Sequence, residues 1–236
     1  MKKTVFITGS AKGIGKACIE KFAIEGYNVV INYLTSGKEA LELKNTMQDQ
    51  YDVKALCIKA DISNEEEVKN MIAEVINTFG NIDVLINNAN YEQDNSYLEK
   101  TKEEFLRVLE VNVVGTFLVT KYASKYMDKG TVINVSSLDA TDTYRELSMD
   151  YCASKVGMNS LAQTFSLALP NIKFISIMLP WVKTASVEEM YSEYLEEEHK
   201  RVGQKRLIEP EEVAEKIYSL VEDNKVKSGS IIKYEI

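Results

Sequence analysis

Six short apolar runs, each followed by a longer amphipathic stretch, constrain the fold of this 236-residue chain more than any other feature. The runs cover 2–8, 28–33, 53–60, 82–88, 131–136 and 172–179, and most are rich in Val and Ile. They are apolar almost throughout, without the strict alternation of a strand that has one wet face, so they read as strands buried on both faces. Helical stretches are expected over 13–25, 38–50, 64–79, 102–127, 150–169 and 210–221, with Gly26 and Gly80 where C-caps belong. Strands alternating with helices of this length predict βαβ units in an α/β fold, a doubly wound parallel sheet with helices on both faces. No repeat, low-complexity tract or Pro/Gly/Ser linker divides the chain, so 1–236 is expected to be a single domain.

Charge and cysteine usage exclude several classes of function. The formal net charge is −8, from 28 basic and 36 acidic residues, which argues against nucleic acid or an anionic membrane as a partner. Cys18, Cys57 and Cys152 are few, odd in number and scattered, as reduced thiols of a cytoplasmic protein would be. The single histidine, His199, lies in "EEEHKR" and reads as part of a solvated helix face; no cluster has metal-ligand spacing, so no metal is expected. The apolar run before Gly9 is too short for a signal-peptide core, and no other run is long enough to span a membrane.

The turn after the first strand carries chemistry. In "VFITGSAKGIG", Gly9, Gly13 and Gly15 stand between a strand and a helix, where a backbone must approach a pyrophosphate closely. The helix N-terminus would then offer N–H groups and the positive end of its dipole to the phosphates. The spacing is T-G-x-x-x-G-I-G rather than G-x-G-x-x-G, and its place in the first βαβ unit makes it a dinucleotide-binding signal in a Rossmann-like fold.

Tyr151 and Lys155 in "YCASK" lie one helical turn apart on one face. Such a pair is ordinarily a solvated surface contact, but a cation beside a phenol also favours the phenolate. With "TGSAKGIG" at 8–15, "NNA" at 87–89, "NVSS" at 134–137, Asn112 in "EVNVVGTF" and Asp61, the pair gives the chain a resemblance to the short-chain dehydrogenase/reductase family that spans nearly its whole length.

That resemblance implies an oxidoreductase that moves a hydride between a nicotinamide and a carbonyl or alcohol carbon. Tyr151 would be the general acid in reduction and the base in oxidation, and Lys155 would lower its pKa and hold the nicotinamide ribose. Ser137 would bond the substrate oxygen, with the adjacent Ser136 as the rival, and Asn112 would support a proton path by adjusting its helix. The loop residues Gly9, Ser10, Lys12, Gly13, Ile14 and Gly15 would cradle the cofactor. Asn32 and Tyr33 would meet its adenosine ribose, Asp61 its adenine, and Asn88, Pro180 and Thr184 the nicotinamide side. Cys152 beside the tyrosine reads as a small packed residue rather than a redox handle.

The second strand ends in "VVINYLTSG", with no acid to pair with two ribose hydroxyls, and Lys12 stands where relatives that use NADP commonly carry a base. NADP(H) is therefore favoured over NAD(H). Two departures bear on the pocket. "NNAN" puts Asn90 where the family has glycine, and "LPWVKT" puts Trp181 after Pro180 in place of another. The tail "SGSIIKYEI" also lacks the glycine-rich ending of relatives.

Residues 183–208 interrupt the strand–helix rhythm; Met190, Tyr191, Tyr194 and Leu195 recur at helical spacing in a segment placed to act as a substrate lid or as a solvated helical pair. The general look is similar to the 3-oxoacyl-(acyl-carrier-protein) reductases. However, Glu188, Glu189, Glu193, Glu196, Glu197 and Glu198 in the lid would repel an acidic carrier or CoA. A small neutral or aromatic carbonyl compound is the expected substrate, and an acyl thioester is the rival. A non-catalytic NADP(H)-sensing protein is the alternative of another class, disfavoured by the intact Ser137, Tyr151 and Lys155. Relatives pair through the helices at 102–127 and 150–169, which implies a homodimer or homotetramer.

Overall fold

The structure is a computed structural model that describes residues 2–190 and 192–235. Seven strands form one parallel sheet in the order β3-β2-β1-β4-β5-β6-β7. They are β1 (Thr4–Ile7), β2 (Asn28–Tyr33), β3 (Ala55–Lys59), β4 (Val84–Asn87), β5 (Gly130–Ser137), β6 (Ile172–Leu179) and β7 (Ser230–Lys233). The helices are α1 (Gly13–Ile24), α2 (Gly37–Gln50), α3 (Glu65–Phe79), α4 (Lys102–Leu109), α5 (Thr116–Ala123), α6 (Met149–Ala168), α7 (Ala185–Glu188), α8 (Ser192–Val202) and α9 (Pro210–Glu222).

The continuous apolar runs are explained by the two faces they serve. Val5, Ile7, Val29, Ile31, Val84 and Ile86 pack with Ile19 and Phe22 of α1 and Ile217 of α9. The residues between them, Phe6, Val30 and Leu85, pack with Val68 and Met71 of α3 and Leu118 of α5. Successive side chains leave a strand on opposite sides, so a sheet covered on both faces needs both sets apolar.

Sequence order reverses between β1 and β4, opening a crevice at the carboxyl ends of these strands. The β5–β6 register sets Ser137 opposite Leu179 and brings the serine beside the residues that follow β6. Helix ends are fixed locally. The Asn64 side chain accepts from the Glu66 and Glu67 N–H groups at the start of α3, and Gly80 closes that helix at φ +84°.

Two elements differ from the sequence expectation. The stretch 102–127 is not one continuous α-helix: residues Glu110–Gly115 form a π turn between α4 and α5, centred on Asn112. The tail contributes a seventh strand that the apolar pattern does not reveal. β7 is a four-residue edge strand whose residues alternate between half-buried and exposed. No described helix is long and apolar enough to cross a membrane.

Candidate functional site

A cleft of about 590 Å³ runs along the carboxyl ends of the strands, from the glycine loop to the segment after β6. At its floor, Gly9 adopts φ +59°, and a Cβ there would stand 2.7 Å from the Ala89 Cα. A Cβ on Gly15 would meet the Ser10 Cα at 2.6 Å and the Asn88 Nδ2 at 2.7 Å. Both glycines are therefore required to fold the loop tightly against β4. Helix α1 begins with no side-chain cap and no acid in its first turn, so its N-terminal N–H groups face the loop without competition. This cradle fits a dinucleotide pyrophosphate.

Several predicted cofactor residues hold the cradle together, Asn32 and Asn88 while also lining it. Ser10 is fully buried, and its hydroxyl donates to the Ile7 carbonyl at 2.8 Å. The Asn32 amide accepts from Gly9 N–H at 3.1 Å and donates to the Ala60 carbonyl at 3.1 Å, tying the loop to β2 and β3. Asn88 donates to the Thr8 and Gly9 carbonyls at 3.0 and 2.9 Å while also lining the cleft. Lys12, Gly13, Ile14, Tyr33, Pro180 and Thr184 line the cleft as well. Asp61 lies at its edge with its carboxylate already bonded to Ser63 and Arg107.

The charge near Lys12 differs from the sequence reading. Glu39, in the first turn of α2, pairs with Lys12 at 2.8 Å. An acid thus stands beside Lys12, delivered by the helix after β2 rather than by the strand itself. Asn90 lines the cleft as well. Among the described residues no side-chain-bearing residue has positive φ, so the asparagine replaces a family glycine without a left-handed backbone.

Tyr151, Lys155, Ser136 and Ser137 converge at the other end of the cleft. Lys155 is buried and donates to the Val135 carbonyl at 3.0 Å, with its ammonium 5.1 Å from the centre of the Tyr151 ring. Burial pushes its pKa down to about 8. Ser137 ends β5 and accepts the Asp139 N–H at 3.1 Å, whereas the Ser136 hydroxyl donates to the Lys155 carbonyl. Ser136 is therefore committed to the protein, whereas Ser137 makes no such bond to a backbone carbonyl and lines the cleft beside Tyr151. The Asn112 side chain does not reach the cleft. Its amide both accepts from Tyr91 N–H and donates to Tyr91 O, and it donates to Ser154, whose hydroxyl donates to the Tyr151 carbonyl.

The Tyr151 phenol is pushed up from its ordinary value rather than down. Burial is the largest cause, followed by the carboxylates of Glu92 and Asp139, while Arg145 and Ser137 pull the other way. These acidic neighbours, and Arg145 itself, were not legible in the sequence. Arg145 is buried and pairs with Asp139 at 3.0 Å, with Asp94 at 3.4 Å and with Glu92. Its guanidinium lies 5.3 Å from the Tyr151 ring centre and 5.1 Å from that of Trp181. The only available signal is the length of the loop between Ser137 and Tyr151.

Residues 183–208 pack over this end. Trp181 meets Tyr194 edge-on at 6.5 Å, and its backbone is held in both directions by the Gln204 side chain. Arg201 pairs with Glu198 and donates to the Tyr144 and Thr143 carbonyls, which pins α8 to the loop that carries Arg145. Glu198 is thus buried and neutralised, unlike the exposed Glu193, Glu196 and Glu197. His199 is half-buried, with an Nε2 that has no partner among the described residues, rather than on a solvated face. Tyr191 lies outside the described residues. Cys152 is buried and its thiol is pushed up by burial, which fits a packing role.

Comparison with known proteins follows the same geometry. The sequence profile of the short chain dehydrogenases matches residues 3–195. Glucose 1-dehydrogenase 2 of Bacillus subtilis is 34% identical over 220 residues, covering 90% of this chain and 84% of its own. A 3-oxoacyl-(acyl-carrier-protein) reductase of Aquifex aeolicus is 30% identical over 217 residues, covering 90% of this chain and 87% of its own. A dehydrogenase/reductase of Sinorhizobium meliloti superposes with a TM-score of 0.92 at 24% identity, covering 98% of this chain and 92% of the other.

Proposed function

The chain belongs to the short-chain dehydrogenase family, and from that premise we propose that it is an NADP(H)-dependent oxidoreductase acting on a small carbonyl or alcohol compound. The observation that carries this reading is the convergence of Ser137, Tyr151 and Lys155 at one end of a cleft whose other end is the glycine cradle.

A nicotinamide dinucleotide bound in the cleft supplies or accepts the hydride. The chain's own residues do the rest. Gly9 and Gly15 allow close approach, the α1 N–H groups meet the pyrophosphate, and Lys12 offers a cation to a ribose phosphate. Ser137 holds the reacting oxygen, and Tyr151 gives its phenolic proton to that oxygen in reduction and takes it back in oxidation. The Lys155 ammonium stabilises the phenolate so formed, and Asn112 fixes the Tyr91 strap and, through Ser154, the turn that carries Tyr151. Trp181, Tyr194 and α8 would form the lid that closes on the substrate.

The substrate preferred by this wall is neutral. Glu188, Glu189, Glu193, Glu196 and Glu197 are exposed on the segment proposed as the lid, and the Glu92 and Asp139 carboxylates that pair with Arg145 line the cleft. With NADPH, ethyl acetoacetate is expected to give a kcat/KM at least tenfold above that of acetoacetyl-CoA. Equal or reversed values would favour the thioester reading.

We also assign a homo-oligomeric state, because Leu106, Phe117 and Val156 expose apolar side chains on α4, α5 and α6, the helices through which relatives pair. The three free thiols fit a reducing, cytoplasmic setting.

A further inference from the structure

The loop between β5 and α6 places a charged assembly against the catalytic pair that the reaction as described does not use. Arg145 is one of the few buried cations of the described chain, and its partners come from two separate segments. Asp139 follows β5 by two residues, while Glu92 and Asp94 lie in the strap between β4 and α4. Asp94 is held in turn by the Ser148 hydroxyl, and Asp139 accepts the Thr143 hydroxyl at 2.6 Å. The guanidinium therefore cannot rotate without breaking bonds to three side chains. Its central carbon lies at cation–π distance from both the Tyr151 and the Trp181 ring.

We propose that Arg145 is a positioning residue of the catalytic pair: it fixes the Tyr151 ring and holds Glu92 and Asp139 beside the pair, so that tyrosine and lysine both carry their protons when a carbonyl arrives. This rests on the assignment of Tyr151 and Lys155 as the acid–base pair. Three carboxylates outnumber one guanidinium, so the assembly keeps a negative balance towards the cleft. That balance opposes proton loss from Tyr151 and from Lys155 alike. A site arranged this way is set for donating a proton, which is the reductive direction.

The charged and titratable groups facing the pair are accounted for element by element. Asp139 comes from the end of β5, Arg145 from the loop, and Glu92 and Asp94 from the strap. On α6 itself, Cys152 is buried beside the tyrosine, and Asp150 is paired with Lys100. From α8, Tyr194 faces Arg145, with Glu198 behind it paired to Arg201. Of the acids, Glu92 and Asp139 act directly on both members of the pair.

The test is a titration of Lys155 by NMR of its Cε carbon in the protein without cofactor or substrate, assigned by its loss in Lys155→Met. Glu92→Gln and Asp139→Asn, which keep size and shape, are each expected to lower the Lys155 midpoint by about one pH unit. Arg145→Met, by releasing both acids from the pair, is expected to lower it as well, and Arg145→Lys, which keeps the anchor, to return it towards the parent value; a raised midpoint in Arg145→Met would show the guanidinium acting as a charge alone and would overturn the positioning role. A scaffold-only role predicts an unchanged midpoint in Glu92→Gln and Asp139→Asn whatever their stability, and that result would overturn the proposal. Should Arg145→Met not fold, the two isosteric variants decide alone. Turnover of ethyl acetoacetate is measured separately: its absence in the parent protein would count against the proposed substrate class and leave the Lys155 titration to judge this inference.

Discussion

Tyr151→Phe is expected to lower carbonyl reduction roughly 10²–10⁴-fold, the usual contribution of a positioned acid or base, while NADPH affinity changes less than about twofold. The substitution removes one oxygen and keeps the ring. The Arg145 guanidinium, 5.3 Å from the ring centre, retains its aromatic neighbour, and Lys155 retains its bond to the Val135 carbonyl. Neither the glycine cradle nor α1 touches the phenol, so the binding of a dinucleotide has no reason to weaken. What is lost is the phenolic proton donor beside Ser137. Steady-state rates together with cofactor-fluorescence titration separate the two effects. Retained turnover would remove the tyrosine from the chemistry, and loss of both binding and turnover would point to a folding defect instead.

Lys100→Met is expected to destabilise the fold by about 3–5 kcal/mol, a fall in Tm on the order of 10 °C for a domain of this size. Lys100 and Asp150 form an ion pair at 2.7 Å with side chains only 5% and 0% exposed. The ammonium also donates to the Gln93 carbonyl at 2.8 Å, which ties the strap to the first turn of α6. Removing it leaves a buried carboxylate with only the Tyr151 N–H as partner. The pair as a whole is worth less than this loss, because desolvation offsets much of its attraction. Lys100→Met combined with Asp150→Asn should therefore recover part of the stability. Urea unfolding of the parent and the two variants checks this, and a double variant no more stable than Lys100→Met would contradict it.

The sheet was legible in the sequence because fully buried strands must be apolar on both sides. Val5, Phe6 and Ile7 show this directly, as do Val29, Val30 and Ile31. β7 was not legible, since a four-residue edge strand with one wet face carries little apolar signal, and this one holds just Ile231 and Ile232, of which Ile231 is exposed. The π turn at Asn112 leaves the helical composition unchanged, so only the family resemblance implied that the helix adjusts there. The glycine loop, Ser137 and the Tyr151/Lys155 pair were readable as local patterns. Arg145, Glu92 and Asp139 were not, because they meet only when the strap after β4 and the loop after β5 close over the same cleft. The pairing of Lys12 with Glu39 escaped for the same reason: 27 positions separate them, and α2 brings them to 2.8 Å.

The phenol's direction shows why contact matters more than spacing. One helical turn between Tyr151 and Lys155 suggests a phenol lowered by an ammonium. In the folded chain the ammonium is itself weakened by burial, and the Glu92 and Asp139 carboxylates oppose ionisation of the phenol. The balance favours the protonated tyrosine, which suits an acid in reduction better than a base in oxidation.

The most direct measurement is a side-by-side titration of the purified protein with NADPH and NADH, followed by cofactor fluorescence. NADPH is expected to bind at least tenfold more tightly than NADH, about 1.4 kcal/mol, with Lys12 exchanging Glu39 for the ribose phosphate. Tighter binding of NADH would show that Glu39 governs the adenosine end. Binding of neither would show that Asn90 or Trp181 closes the cleft, and would contradict the account at its foundation.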